Sequence, residues 1–355
     1  IASALVTSAL IAQSRQPGSP LELQQKTSAS NRQPADSQQD AGDAAQLPVQ
    51  LKNNARYTLL LCGIDHTRTL ADVVIYVQLD LTSRRVQMLQ IPRDLFVGTQ
   101  YTTGKINSAC LDFSTDDPAQ NIRQIVSSQL GLQVDDTAVI TLAGVRALVD
   151  AVGGVTVNLE RAITFLPGKT IPPGPQTLTG EQAEWLLRYR KGYEMGDLDR
   201  LKVQKQFMLS AMQSVKSLGK FQVLKIAAKN FGHVKTTIPF SEIRSLISVG
   251  MGVSTDNITI QTLPAYGATY HGYSVLCINR FKLAEVLNAG VRAENPIDPW
   301  ELQLAYPPEG SALPPTDAPS QEENDPLFDF SWDYKDPYSE YNDNDAEGVV
   351  IRNND

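Results

Sequence analysis

The chain has 355 residues, 42% of them hydrophobic and 20% charged, which is typical of a protein with a sizeable hydrophobic core. Its formal net charge is −8, but residues 301–355 hold 14 acidic and two basic residues, so residues 1–300 are mildly basic at +4. That excess suits an anionic substrate and is too small to indicate nucleic-acid binding. Three scattered cysteines and three histidines argue against a zinc site, a disulfide framework and a histidine-based catalytic triad.

Four segments follow from composition. Residues 1–12 are mostly apolar and too short to cross a bilayer, which needs about 20 residues, so we interpret them as the remnant of an N-terminal membrane anchor or export signal. Residues 13–50, rich in Gln, Ser and Pro, are predicted to form a flexible linker, and residues 51–304 the folded domain. Residues 305–355 are predicted to be a disordered, acidic and Pro-rich tail.

The folded domain begins with three apolar runs of strand length, Tyr57–Ile64, Val73–Leu81 and Val86–Ile91. A short polar turn joins the second run to the third, so these two strands should be antiparallel. If the link between the first two runs also reverses the chain, the three strands form an up-down-up meander.

This meander brings four charged residues to one edge of the sheet. Asp65 follows the first run, Asp72 precedes the second, and Arg93 and Asp94 follow the third after Pro92. Carboxylates beside a guanidinium suit a divalent cation and a phosphate. The alternative is that they are ordinary charges at strand ends.

Beyond the meander, helical and strand patterns alternate, which implies a layered α/β domain. Asp116 or Asp117 is expected to cap the first helix, and Thr179 with Gln182 forms a capping-box pattern. The predicted helices are Pro118–Leu130, Leu142–Val152, Thr179–Arg188, Asp197–Val215, Val223–Lys229, Phe240–Val249 and Phe281–Ala289. The predicted strands are Thr137–Thr141, Val155–Leu159, Ile258–Leu263 and Gly272–Ile278.

A second polar group lies around the fourth of these helices. Arg188 and Arg190 are two residues apart, so both can face one ligand only if the preceding helix has ended, which Gly192 favours. Asp197, Arg200 and Gln204 share one face of the next helix. That face could point inward at a ligand or be a solvated, salt-bridged surface.

Taken together in this order, the motifs make residues 57–207 resemble the LytR-CpsA-Psr family. They are Gly63-x-Asp65, Asp72, Ile91-Pro92-Arg93-Asp94, Lys105-Ile106-Asn107, Gly153-Gly154-Val155, Leu178-x-Gly180-Glu181, Arg188-x-Arg190, Asp197-x-x-Arg200 and Gln204. The resemblance implies a three-layer α-β-α sandwich with a central mixed sheet and an apolar pocket for a lipid chain. It also implies a single-pass membrane protein of a Gram-positive-type envelope, with an extracytoplasmic phosphotransferase domain.

The implied reaction moves a glycopolymer, such as a teichoic acid or a capsular polysaccharide, from a polyprenyl pyrophosphate carrier onto peptidoglycan. The resemblance makes Asp65 and Asp72 ligands of Mg²⁺, with Mn²⁺ as a substitute, and leaves open which aspartate is the base. The implied catalytic residues are Asp65, Asp72, Arg93 and Arg190. Pyrophosphate contacts are expected from Arg68, Arg93, Lys105, Arg188, Arg190, Arg200 and Gln204, and other polar site residues are Asp94, Asn107 and Asp197.

Several alternatives stay open at this point. The chain could instead be a non-catalytic binder of lipid-linked glycan, a membrane-bound regulator or a magnesium-dependent pyrophosphatase acting on the carrier. Lys105 and Asn107 could pack against the sheet rather than touch substrate. Many relatives have an arginine where this chain has Leu70-Ala71, and Arg68 could take its place. Val203 stands where relatives often have a second arginine. Apolar residues that could line the lipid pocket or belong to the core are Leu95, Phe96, Ile122, Ile125, Val126, Leu148 and Val152.

Overall fold

The computed structural model describes residues 56–64, 70–109, 111–189 and 197–308, without the side chains of residues 197–199, 240 and 241. The predicted anchor (1–12), the predicted linker (13–50) and residues 309–355 of the predicted tail (305–355) lie outside these residues. Within the described ranges, no helix combines the length and the apolar character needed to span a bilayer.

Twelve strands and seven α-helices are described. The strands are β1 Arg56–Ile64, β2 Ala71–Asp80, β3 Arg85–Ile91, β4 Asp136–Thr141, β5 Val155–Leu159, β6 Ile163–Leu166, β7 Lys169–Ile171, β8 Gly174–Leu178, β9 Val234–Thr236, β10 Ile258–Thr262, β11 Ala265–Tyr270 and β12 Tyr273–Ile278. The helices are α1 Gln120–Leu130, α2 Leu142–Ala151, α3 Gly180–Arg188, α4 Asp197–Lys216, α5 Lys220–Asn230, α6 Phe240–Gly252 and α7 Arg280–Ala289.

The centre of the domain is a six-stranded mixed sheet with the order β10-β3-β2-β1-β4-β9. Strands β1, β2 and β3 form the predicted antiparallel meander, while β1 pairs parallel with β4 and β3 parallel with β10. Asp80 closes the β2–β3 turn, because its Oδ1 accepts hydrogen bonds from the backbone N–H groups of Thr82 and Ser83 at 2.8 Å. Arg84 completes this turn with a φ of 51°.

The sheet is buried on both faces, as the near-continuous apolar runs of its central strands require. On β1, Leu59 and Leu61 face one cluster of apolar residues, to which helices α2 to α6 contribute. Leu60 and Cys62 face the opposite cluster, which contains residues of α1 and α7. The predicted three-layer α-β-α sandwich is therefore confirmed.

The local patterns that predicted helix ends also agree with the structure. Both hydrogen bonds of the Thr179–Gln182 capping box are formed, and α3 ends at Arg188. Helix α1 ends at Gly131, which has a φ of 62°, a conformation that glycine adopts without strain. That helix begins at Gln120 rather than Pro118, because Asp117 Oδ1 accepts a hydrogen bond from the Ala119 N–H in a turn before it.

The short strands of the periphery were missed. Strands β6, β7 and β8 lie between residues 163 and 178, where Gly and Pro obscure the alternation, and β9 has three residues. Of the hairpin β11–β12, the sequence predicted β12 as Gly272–Ile278 but missed β11. Strands β8 and β9 pair with β5 and β4, which are not adjacent to them in sequence, so local pattern alone could not find these two.

Candidate functional site

The meander brings Asp72 and Arg93 together as predicted. Asp72 is the second residue of β2 and Arg93 lies two residues beyond β3, so the antiparallel pairing puts both at one edge of the sheet. Arg93 Nη1 donates a hydrogen bond to Asp72 Oδ1 at 2.9 Å. The Asp72 side chain is 32% exposed and that of Arg93 is 10% exposed, so this ion pair borders both solvent and the interior.

Behind this pair lies a buried ionic contact. Arg93 Nε is 3.5 Å from Asp94 Oδ2, and Lys105 Nζ donates to Asp94 Oδ1 at 2.8 Å. Burial alone would raise the pKa of Asp94, but Arg93, Lys105 and Arg200 outweigh it and lower that pKa below its ordinary value. Asp94 is therefore a stable anion that helps hold the Arg93 guanidinium in place.

The backbone fixes the position of both charged segments. The Asn107 N–H donates to the Arg93 carbonyl at 3.1 Å, and the Ile106 N–H donates to the Leu95 carbonyl at 2.8 Å. Strand β12 holds the other side, because the Leu276 N–H donates to the Asp94 carbonyl at 2.9 Å. The loop that carries Lys105 and Asn107 thus packs beside the strand end that carries Arg93.

Lys105 points away from solvent in this arrangement. It is only 2% exposed and its ammonium group contacts Asp94. Asn107 is also buried. The loop that carries Lys105 and Asn107 is thus packed into the domain, which was one of its two interpretations. Direct contact of these two residues with phosphate stays a prediction.

Helix α4 supplies the next polar residues. Arg200 and Gln204 are 4% and 5% exposed and lie one turn apart, so they face inward rather than form a solvated helix surface. Arg200 is close enough to Asp94 to lower its pKa. Asp197 is the first residue of α4, and its side chain lies outside the described residues.

Gln90 joins this helix to the sheet, a contact that the sequence analysis missed. It is 2% exposed, and its Nε2 donates to the Leu201 carbonyl at 3.4 Å. Thr262 of β10 donates its hydroxyl to Gln90 Oε1 at 3.1 Å. A buried glutamine near the end of a strand was the available signal, since such a side chain needs partners.

Arg188 lies in a different group of contacts. Its Nη1 donates to Glu184 at 3.1 Å and its guanidinium lies over the Phe165 ring, 5.2 Å from the centroid. Tyr189 is extended, so the helix has ended as predicted before residue 190. Asp65, Arg68 and Arg190 lie outside the described residues.

A small apolar cavity, partly open to solvent, lies on the sheet face that α4 covers. Its walls come from β1, β2, β3 and β10 and from helices α4 and α6, with Met212, Leu246 and Gly250 among them. The cavity lies toward the sheet end opposite Asp72, because Tyr57 at the start of β1 also lines it. Helix α4 therefore reaches from the charged site at Arg200 to the cavity at Met212.

The cavity is not lined by the apolar residues that the sequence suggested for a lipid pocket. Leu95, Ile122, Ile125 and Val126 lie in the cluster on the opposite face of the sheet, and Phe96 packs against Tyr270. Leu148 and Val152 belong to the core on the cavity's side without lining it. These residues are core, which was the alternative interpretation.

Among the described residues, no three or more His, Cys, Asp or Glu side chains lie close enough together to hold a metal ion. Asp72 is the exposed carboxylate of the site, and Asp94 is engaged by Lys105 and Arg93. A metal ion at this edge would thus draw on Asp72 and on oxygen ligands beyond the described side chains.

Comparison with known proteins extends this picture. The chain is 29% identical over 233 residues to a polyisoprenyl-teichoic acid–peptidoglycan teichoic acid transferase TagU of Oceanobacillus iheyensis, covering 62% of this chain and 71% of that protein. It is 34% identical over 161 residues to the cell wall biosynthesis protein LcpA of Corynebacterium glutamicum, covering 43% of this chain but only 31% of LcpA. A solved structure of TagT bound to LI-WTA has a TM-score of 0.56 and 20% identity, covering 68% of this chain and 91% of that one.

The family model matches residues 20–291, which is most of the chain and includes every motif on which the resemblance was based. The solved structure supports the same fold over the described domain. The chain therefore belongs to the LytR_cpsA_psr family.

Proposed function

We propose that this protein is an extracytoplasmic transferase that moves a glycopolymer from a polyprenyl pyrophosphate carrier onto a hydroxyl group of peptidoglycan. The observation that supports this most strongly is the path of helix α4. At its start, Arg200 lies close to Asp94 of the Asp72–Arg93–Asp94 group, and near its end Met212 lines an apolar cavity. A diphosphate with an attached hydrocarbon chain has this same division into anionic and apolar parts.

The charges at the site suit a diphosphate. A planar guanidinium binds two phosphate oxygens at once, and Arg93 is pre-positioned for this by Asp72 on one side and Asp94 on the other. Buried and fixed cations stabilise the charge that develops on a leaving phosphate more effectively than mobile ones in water. Arg200 adds a second buried cation, while Arg68, Arg188 and Arg190 stay predicted contacts of the same diphosphate.

In the proposed step, the oxygen of a peptidoglycan hydroxyl attacks the phosphorus atom that bears the glycan. A bond forms between that oxygen and phosphorus, and the bond to the bridging oxygen breaks, so polyprenyl phosphate leaves with the electron pair. The hydroxyl proton passes to an aspartate carboxylate. Asp72, whose side chain is partly exposed at the site, and Asp65 are the two candidates for this base.

Mg²⁺ is the cation that we propose for this reaction, held by Asp65 and Asp72. Magnesium sites commonly use one or two carboxylates together with phosphate oxygens of the substrate, so the carboxylate of Asp72 fits such a site without a third acid. When bound, the ion would supply positive charge to the phosphate oxygens. Mn²⁺ prefers similar oxygen ligands and would substitute for it.

The relatives support the choice of substrates and location. TagU carries a name that includes polyisoprenyl-linked teichoic acid and peptidoglycan, and the TagT structure holds LI-WTA. We therefore propose a membrane-associated protein of the cell wall, with residues 1–12 as part of its anchor, residues 13–50 as its linker and residues 305–355 as an acidic tail. The protein would act on a lipid-linked glycopolymer and on peptidoglycan.

The test is a product assay with the 355-residue chain, a lipid-linked glycan, a peptidoglycan oligomer and Mg²⁺, analysed by mass spectrometry. We expect a phosphodiester between glycan and peptidoglycan, which Asp72→Asn should reduce at least about 100-fold by removing a general base or metal ligand. Asp116→Asn is the matched control, since Asp116 is an exposed loop residue. Release of free glycan phosphate alone would indicate a pyrophosphatase, and full activity of Asp72→Asn would contradict the proposal.

A further inference from the structure

The corner between α4 and α5 combines an exposed aromatic residue with a group of lysines. Phe221, at the start of α5, is 83% exposed, the most exposed of the large hydrophobic residues that the structure describes. Lys220, Lys225 and Lys229 of the same helix are exposed as well. We call Phe221 and these three lysines the α5 surface.

The outer face of helix α5 is basic and carries an exposed aromatic residue. Its residues KFQVLKIAAKN include three lysines and no acid. Val223 and Ala227 are buried in the core, so the helix is held in place while Phe221 and Lys225, one turn apart, stay outside. Because the apolar face of α5 packs in the core, its contact with lipid would come from the outer face, where lysines are attracted to anionic headgroups and an aromatic side chain can insert.

The charge of the α5 surface is not neutralised within the described part of the chain. Every ion pair there uses other residues, and neither Lys220, Lys225 nor Lys229 takes part in one. Four or five residues before the surface, Lys216 lines the apolar cavity and is itself half-buried. Burial lowers the pKa of Lys216.

The cavity and the α5 surface are neighbours in space as well as in sequence. Helix α5 packs against α6, whose residues Leu246, Gly250 and Met251 line the cavity. Lys216, a partly exposed residue of the cavity wall, lies four residues before the start of α5. A membrane lying on the α5 surface would therefore be close to this part of the cavity wall.

We propose that the α5 surface docks on an anionic phospholipid bilayer, with Phe221 inserted among the lipids and Lys220 and Lys225 at the headgroups. The inference rests on the proposed function in one respect, namely that the donor carries a prenyl chain. Docking of the α5 surface would give this chain a direct way from the bilayer into the cavity. It concerns the folded domain and is separate from any N-terminal anchor.

The first test is sedimentation of the 355-residue chain with vesicles of phosphatidylcholine with and without phosphatidylglycerol. Each lysine near an anionic membrane contributes about a fivefold change in affinity, so Lys220→Gln and Lys225→Gln should each weaken binding by about that factor. Phe221→Ser should weaken it about tenfold, since part of an aromatic side chain returns to water. Trp300→Ser and Lys235→Gln, exposed residues of other elements, are the controls and should change affinity less than about twofold.

A tryptophan placed at position 221 reports contact of the α5 surface itself with lipid, even if the N-terminal apolar residues also bind vesicles. In Phe221→Trp, brominated lipids should quench the added tryptophan, measured as the difference from the parent chain. No added quenching, or equal affinity of parent and Phe221→Ser, would overturn the proposal. Shielding of the added tryptophan from an aqueous quencher without vesicles would also overturn it, because another protein surface would then cover Phe221.

The outcome can be separated from that of the proposed function. With a short-chain donor dispersed in detergent, Phe221→Ser should transfer glycan at the rate of the parent chain. With the donor embedded in vesicles, the same variant should be slower by about the factor lost in binding. A parent chain that binds vesicles through Phe221 but transfers nothing would refute the proposed function and leave the membrane surface standing.

Discussion

The buried contact between Lys105 and Asp94 gives the sharpest test of how the site is held together. Lys105→Met keeps the length and apolar volume of the side chain but removes its charge. Lys105 is 2% exposed and its Nζ lies 2.8 Å from Asp94 Oδ1, so the variant leaves a buried carboxylate without its nearest cation. The free energy of unfolding should fall accordingly.

The size of the loss follows from the remaining partners. Removing one member of a buried ion pair costs about 3–5 kcal/mol, because the other charge stays buried. Asp94 keeps Arg93, at 3.5 Å, and the nearby Arg200, so we expect the low end of this range, about 3 kcal/mol at pH 7. Lys235→Met, at an exposed position of the edge strand β9, should change stability by less than about 0.5 kcal/mol.

The pH dependence of this loss has a definite sign. The folded protein lowers the pKa of Asp94, so its charged form stabilises the fold above the unfolded value of about 3.9, and this contribution disappears as the pH falls through the folded pKa. Lys105→Met raises the folded pKa by removing a cation. The difference between parent and variant should therefore be largest at neutral pH and shrink as Asp94 becomes protonated in acid.

Urea unfolding followed by tryptophan fluorescence at pH 7 and at about pH 4 measures both effects. A loss below about 1 kcal/mol at pH 7 would refute the assignment of Lys105 as the main partner of Asp94. A loss that is independent of pH would show that the side chain acts through packing rather than charge.

Three further predictions concern the cavity and its supports. Gly250→Ala and Gly250→Leu should both stabilise α6 by about 0.5–1 kcal/mol, since open space surrounds the added Cβ. Only the leucine variant should weaken binding of a polyprenyl phosphate, and equal binding by both variants would contradict the position of the cavity. Gln90→Leu should cost about 1–3 kcal/mol in urea unfolding and raise the KM for the lipid-linked donor, because the Thr262 hydroxyl loses its acceptor and the Leu201 carbonyl loses one of its donors. A change in kcat alone would speak against a positioning role. Tyr57→Phe should cost about 1 kcal/mol, because Asp136 loses a 3.0 Å hydrogen bond, and unchanged stability would contradict that contact.

Local sequence patterns predicted the parts of the fold that depend on neighbouring residues. The alternation and turns of residues 57–91 predicted the meander, and this in turn predicted the meeting of Asp72 and Arg93. Thr179 and Gln182 form their capping box three residues apart, and Arg200 and Gln204 share the inner face of one helix. Each of these rests on a fixed periodicity of the backbone.

The features that the sequence left open or missed depend on contacts that no local pattern encodes. Lys105 pairs with Asp94 because a loop folds back beside the strand end, and nothing in the local pattern favours this over contact with a ligand. The cavity walls come from four strands and two helices, so its residues share no motif. Gln90 gains its role from partners 111 and 172 residues away in sequence.

A crystal structure of the chain with a bound polyprenyl pyrophosphate tests the central claim most directly. We expect diphosphate oxygens at hydrogen-bond distance, about 2.7–3.2 Å, from the Arg93 guanidinium, and the prenyl chain in the cavity against Met212 and Leu246. A diphosphate bound away from Arg93 would contradict the account. A prenyl chain that follows the opposite face of the sheet would contradict it equally.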